Sequence, residues 1–197
     1  MCYFFRILSI HYGIEGRVRT DKKQIKEWRG LAARQSKIDL IIGHHAHVPR
    51  AVERAGDSVI FYGLGNFLHH GTADMSKKGI CKDFGVLGRV HLLKMSDGRL
   101  KARAVEVVPV TQMHIRTEKM EPRKAMDRIH ALNYLARKLP SGAEGLQFTP
   151  QKDGSGLYCF KGASRDPGSI GKLCRGWKRP GGTPSFLAGK IASSCAR

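Results

Sequence analysis

Acidic residues are scarce in this 197-residue chain: 16 Asp and Glu stand against 35 Lys and Arg, a formal net charge of +19. The excess is spread over the whole length rather than gathered in a tail or stripe. Diffuse positive charge invites an anionic partner, whether nucleic acid, phosphoester, acidic polymer or membrane surface. No apolar run approaches the roughly 20 residues that span a bilayer. The apolar start has neither the basic leader nor the small-residue cleavage site of a signal peptide, and reads as a buried strand. The five cysteines (Cys2, Cys81, Cys159, Cys174, Cys195) form no CxxC pair and are odd in number, which argues against a zinc ribbon or a full disulfide framework. Cys174 and Cys195 are a candidate pair if the chain is exported. Proline is sparse at 8 residues, and 41% of residues are hydrophobic, which excludes a wholly disordered chain.

Hydrophobic patterning predicts alternating elements. A strand over 3–10 is followed by a helix capped at Thr20 or Asp21 and running to about Gln35. Ile25, Trp28, Leu31 and Ala32 form its inner face, and Lys22, Lys23, Lys26, Arg29 and Arg34 its outer one. Residues 38–42 read as a strand covered on both faces. A short connecting element lies at Val52 and Glu53, a further strand at 58–62, and a hairpin at 84–94 and 100–110 around a Ser-Asp-Gly turn. Pro122 opens a helix that ends before Pro140. From 141 to 197 Gly, Ser, Pro and Lys/Arg dominate, predicting a basic, mostly irregular and poorly structured extension with a short helix near 186–192.

Histidines stand at two strand ends, where open α/β sheets carry their functional groups. His11 follows the first strand; His44, His45 and His47 follow the strand at 38–42. Imidazole nitrogens bind divalent ions at about 2 Å. In extended, period-two geometry His45 and His47 share a side and His44 points away. His45 and His47 are therefore expected as ligands with His11, and His44 as a packing or supporting group. The competing reading is an ordinary surface turn. His69 and His70 are expected at the surface, and Asn66 as a loop-closing or substrate-facing group.

The ordered motifs HYGIE at 11–15, GHHAHV at 43–48 and YGLGNF at 62–67, with Gln24 between the first two, resemble the CapA family of poly-γ-glutamate capsule synthesis proteins, of the calcineurin-like metallophosphoesterase superfamily. They are similar to that family's HWGxE, GxHPH and YSLGNF motifs, with Tyr12 in place of Trp and Ala46 in place of Pro. The resemblance is strong over about 7–68 and weaker through the hairpin. It implies an α/β fold in which residues 1–110 form the C-terminal half of a metallophosphatase-like sandwich, followed by a helical segment at 111–140 and the extension. It implies a divalent-metal centre (Mn, Fe or Zn) with His11, His45 and His47 as ligands, Glu15 in a catalytic or ligand-orienting role, and an anionic polymer or phosphoester as substrate. Other capsule-synthesis proteins are the implied partners, and a cell-envelope location is implied by intact relatives. The superfamily's early Asp, second Asp and Asn-His motif have no counterpart here; Gly65-Asn66-Phe67 is not that motif. An incomplete centre, a truncated gene product and an inactive isolated chain are the corresponding expectations. The alternative is a non-enzymatic module binding polyanions or nucleic acid. Dispersed charge, the absence of a nucleic-acid motif, and Trp28 and Trp177 without the interleaving expected of stacking platforms count against nucleic acid.

Overall fold

A computed structural model describes residues 4–33, 38–71 and 73–196. It is a mixed α/β structure with two sheets, the class expected. In the first sheet β1 (Ile7–His11), β2 (Leu40–His44) and β4 (Ser58–Phe61) run parallel. Next to β4 lies antiparallel β3 (Val52–Ala55), followed by the two-residue β8 (Glu144–Gly145). The second sheet is antiparallel: β5 (Gly85–Lys94), β6 (Leu100–Thr111), β10 (Gly156–Cys159) and β9 (Thr149–Pro150), with β7 (Glu118–Lys119) on β6. The helix α1 (Lys22–Ala33) connects β1 to β2, as parallel pairing requires a crossover. The end of the helix expected to reach Gln35 lies outside the described residues, as does the start of the strand expected from residue 3.

Alternation along the parallel strands divides the core in two. Ile41 and Ile60 face one cluster with Ile25 and Trp28 of α1, while Leu40, Val59 and Phe61 face another with Phe84, Val86, Val105 and Val107 of the second sheet. The first sheet is thus covered by α1 on one side and by the second sheet on the other, which explains the continuous apolar run at 38–42. The helix α2 (Pro122–Arg137) adds residues to both clusters. Its first turn is capped by Glu121, whose carboxylate accepts from the amides of Arg123 and Lys124.

Arg29 departs from the expected solvated face of α1. Its Nε donates to the buried Glu53 carboxylate at 2.7 Å, and the Tyr62 hydroxyl donates to the other oxygen at 2.8 Å. Burial and the neighbouring carboxylate push the Tyr62 hydroxyl well above its ordinary pKa.

The segment after Pro140 has short elements joined by irregular connections, as its composition predicts, but it is firmly packed rather than poorly structured. β10 adds a strand beside β6, and buried Asn133 of α2 exchanges two hydrogen bonds with the backbone of Phe148. Arg103 of β6 pairs with Asp166, and α4 (Ser185–Ser194) buries Leu187 and Ile191 in the first cluster. α3 (Gly168–Cys174) is fixed by a disulfide from Cys174 to Cys159. The second disulfide joins Cys195 to Cys81. The expected Cys174–Cys195 pairing is thereby corrected: each cysteine has a different partner with a Cα separation of 5.8 and 5.5 Å respectively, within bridging range. Sequence spacing carried no trace of these pairings because β10 and the loop at Cys81 are brought to the helices by the sheets. Cys159→Ser is expected to cost about 3 kcal/mol, the loop-closure value for a separation of 15 residues, measured as a lowered urea midpoint under non-reducing conditions.

Candidate functional site

The parallel register of β1 on β2 sets His11 beside His44 at the ends of the strands. A glycine precedes the histidine run for a steric reason. A Cβ on Gly43 would lie 2.5 Å from the Tyr62 carbonyl oxygen and 2.7 Å from the Trp28 ring. Trp28 stacks on Tyr62 at 5.5 Å, so α1 and the strand ends close tightly over this point.

After His44 the chain leaves the extended conformation. His45 and His47 both have positive φ, 80° and 57°, a region that costs a non-glycine residue and is held only by its surroundings. The period-two reasoning that paired them therefore fails, and they do not act as one pair. His45 turns to His11, with its Nδ1 3.0 Å from His11 Nε2 and ring centroids 4.7 Å apart. His47 donates from Nδ1 to Asn66 Oδ1 at 2.7 Å, which leaves its Nε2 lone pair for another partner. The rings of His45 and His47 are 6.4 Å apart. His44 is exposed and hydrogen-bonded to Ser9 Oγ at 3.0 Å. Glu15 is exposed, and no hydrogen bond or ion pair joins it to the histidines.

Two residues not expected at the site are found there. His69, exposed as expected, sets its ring edge-on to His47 at 5.1 Å, and its amide donates to Met113 O. Asp21, read only as a helix cap, lines an open cleft of about 450 Å³ with His11, Tyr12, Gly13, Ile14, Lys23 and His45. It does cap α1 as well, accepting from the amides of Lys23 and Gln24, and it pairs with Arg17 at 3.5 Å. The carboxylate that lines this cleft with His11 and His45 is thus Asp21 rather than Glu15. A tertiary crossover brings it there, and no spacing rule reveals that.

Arg50 fixes the frame. Its side chain is fully buried and donates to Arg17 O, Ile14 O and Gln24 Oε1 at 2.9, 2.5 and 2.6 Å. Gln24 passes the connection on to Tyr62 O at 3.2 Å. Gly13, at φ 129°, leaves room for the guanidinium: a Cβ there would meet Arg50 Nη1 at 2.7 Å. Burial, with Arg17 nearby, brings the guanidinium down to about 10, so it is charged at neutral pH.

Two nitrogens bound to one tetrahedral ion at 2.0–2.1 Å are about 3.3 Å apart. The His11–His45 separation is that of a hydrogen bond between the rings, and it is close to that span. Among the described residues no group of three His, Cys, Asp or Glu gathers in ligand geometry. Two imidazoles at that spacing, with His47 held nearby by Asn66, are therefore what the site offers an ion.

Residues 3–70 match the model of a family described as bacterial capsule synthesis protein PGA_cap. Through this segment, which carries all three motifs, the chain resembles that capsule synthesis family. It is also similar to the PGA biosynthesis protein CapA of Bacillus subtilis (strain 168), at 23% identity over 136 residues, covering 69% of this chain and 34% of that protein. The chain thus spans about a third of the length of this curated relative.

Replacing Arg50 with Met removes three charge-assisted bonds and leaves two carbonyls and an amide oxygen without a donor. The expected loss is about 2–4 kcal/mol in urea unfolding. The His11 and His45 ring signals in NMR are expected to shift together, because both loops are released at once.

Proposed function

We propose that the chain serves capsule biosynthesis by acting on an anionic polymer or phosphoester at a metallophosphatase-type centre. The supporting observation is the pair of imidazole nitrogens 3.0 Å apart at the ends of two parallel strands, inside the family's motifs. His11 and His45 would hold a divalent ion (Mn, Fe or Zn), with His47 as the third imidazole. When bound, such an ion supplies Lewis-acid charge for a phosphoryl or comparable oxyanion and lowers the pKa of a bound water. The chain's own residues prepare the place: Asn66 fixes the tautomer of His47, Ser9 anchors His44, and Arg50 keeps the loop at 11–20 against the histidine loop. Glu15 is assigned to substrate contact rather than ligation, since it is exposed and unbonded to the rings. Other capsule-synthesis proteins are the partners that the family suggests. The two disulfides support an oxidising location such as the cell envelope.

Three imidazoles without a bridging carboxylate hold one ion weakly, so turnover by this chain alone is expected to be slight. Titration with Co²⁺, followed by its visible absorption and by calorimetry, tests the site. One equivalent is expected to bind, His11→Ala and His45→Ala to abolish uptake, and His44→Ala to leave it intact. Asn66→Ala is expected to weaken affinity about 10- to 100-fold, as for other groups that orient a metal ligand. Uptake unchanged in His45→Ala, or two ions with rapid phosphodiester hydrolysis, would overturn the assignment.

A further inference from the structure

A separate cleft, of about 370 Å³, lies where β10, the turn after it and the stretch that follows α3 come together. Tyr158 and Phe160 are buried at its base, their rings edge-on with centroids 5.2 Å apart. Half-buried Trp177 stands edge-on to Tyr158 at 5.3 Å. Each ring is held in place. The Tyr158 hydroxyl donates to Glu144 at 2.9 Å, Trp177 Nε1 donates to Leu157 O at 2.8 Å, and the Arg54 guanidinium lies over the Phe160 ring at 5.2 Å. The Cys159–Cys174 disulfide also lines the cleft and ties β10 to α3, three residues before Trp177. Rings fixed in this way lose little freedom when a ligand packs on them.

The polar features of the cleft are two cations and a strand edge. Lys161 and Arg179 line it, both are exposed, and neither has an ion pair among the described residues. No carboxylate is among the described residues that line it. The Phe160 amide donates to Arg103 O on β6, so in the alternation of antiparallel pairing the amide and carbonyl of Cys159 turn to the opposite side of β10. On that side β9 pairs only with Gly156 and Leu157, which leaves Cys159 as an open edge beside the rings.

These features together narrow the ligand. An inorganic anion would meet the cations and leave the rings bare. An uncharged hydrocarbon would cover the rings but take two cations out of water without a partner. The volume is at the small end of the roughly 300–1,000 Å³ of ligand pockets, which suits a residue or two rather than a stretch of polymer.

We propose that this cleft captures the C-terminus of another polypeptide, one that ends in an aromatic or large aliphatic residue. The last side chain packs on Tyr158, Phe160 and Trp177, the terminal carboxylate meets Arg179 and Lys161, and the last peptide group pairs with the backbone of Cys159. Strand addition and capture of a chain terminus are both recurring modes of peptide recognition. The cleft lies outside the segment 3–70 and does not rest on the metal site proposed above.

The experiment titrates the full, oxidised chain with N-acetyl-alanyl-phenylalanine as the free acid, with the same dipeptide as its C-terminal amide, with N-acetyl-alanyl-glycine and with 3-phenylpropionate. Calorimetry reads affinity, and ¹⁵N NMR reads the Cys159 amide and the Trp177 indole. The free acid is expected to bind and to move both signals. The amide, the glycine dipeptide and 3-phenylpropionate are each expected to bind about tenfold more weakly or worse, having lost the charge, the ring or the peptide group. Arg179→Ala is expected to weaken the free acid about threefold or more and to leave the amide within about twofold. Lys172→Ala, exposed and outside the lining, is expected to change neither.

No binding of the free acid below about 10 mM would overturn the proposal, as would binding that moves neither Cys159 nor Trp177. An amide as tight as the acid would remove the carboxylate from the recognition, and 3-phenylpropionate as tight as the dipeptide would make the ligand a free aromatic acid rather than a chain end. Equal losses in Arg179→Ala and Lys172→Ala would reduce the effect to diffuse charge. Each of these results would sink the assignment.

Discussion

Arg50 lies at zero exposure where three stretches of chain meet: the loop after β1, the first turn of α1 and the loop after β2. Burying a guanidinium is expensive, and here neutral oxygens alone receive it, so the cost is offset only while all three stretches keep their places. That condition gives the site its shape. The loop bonded to Arg50 begins at His11, the helix bonded to it carries Asp21 at its cap, and Gln24 relays the constraint to the strand end at Tyr62. Gly13 and Gly43 serve the same closure, one by leaving room for the guanidinium and the other by letting Trp28 and Tyr62 approach the strand.

The first sheet and the second share a core, but they obtain their edges differently. β2 and β4 are central strands whose side chains alternate between two apolar clusters, and they need nothing beyond their own sequence to be recognised. The segment after Pro140 has no such pattern. Its strands are two to four residues long, and the segment is anchored through Asn133, Arg103 and the two disulfides. Stability is drawn there from partners far away in sequence, which periodicity cannot register.

The same distinction decides how much of the site was legible. The expected strands at 38–42 and 58–62, the hairpin and the helix from Pro122 follow from alternation, a turn and a proline, and each stands within a few residues of its expected bounds. His11 and His45 stand out in the sequence because strand ends are local features. His47 was placed with them by extended geometry, which its positive φ contradicts; Asn66, rather than alternation, determines its direction. Asp21 and Arg29 read as a cap and as surface charge because nothing near them in sequence announces Glu53 or the cleft. Nothing in the sequence around Arg50 marks it for burial.

His11 and His45 stand 34 residues apart and touch only when β1 and β2 are in register. A slip of one residue would send the first of them to the opposite face. Any ligand that bridges the two rings therefore binds the folded sheet and not the open chain, and its binding energy becomes folding energy: about 2.7 kcal/mol at a free concentration one hundred times its Kd. By the same reciprocity, whatever loosens the β1–β2 seam lowers the affinity for that ligand, so occupancy of the pair is also a gauge of how completely the sheet has closed.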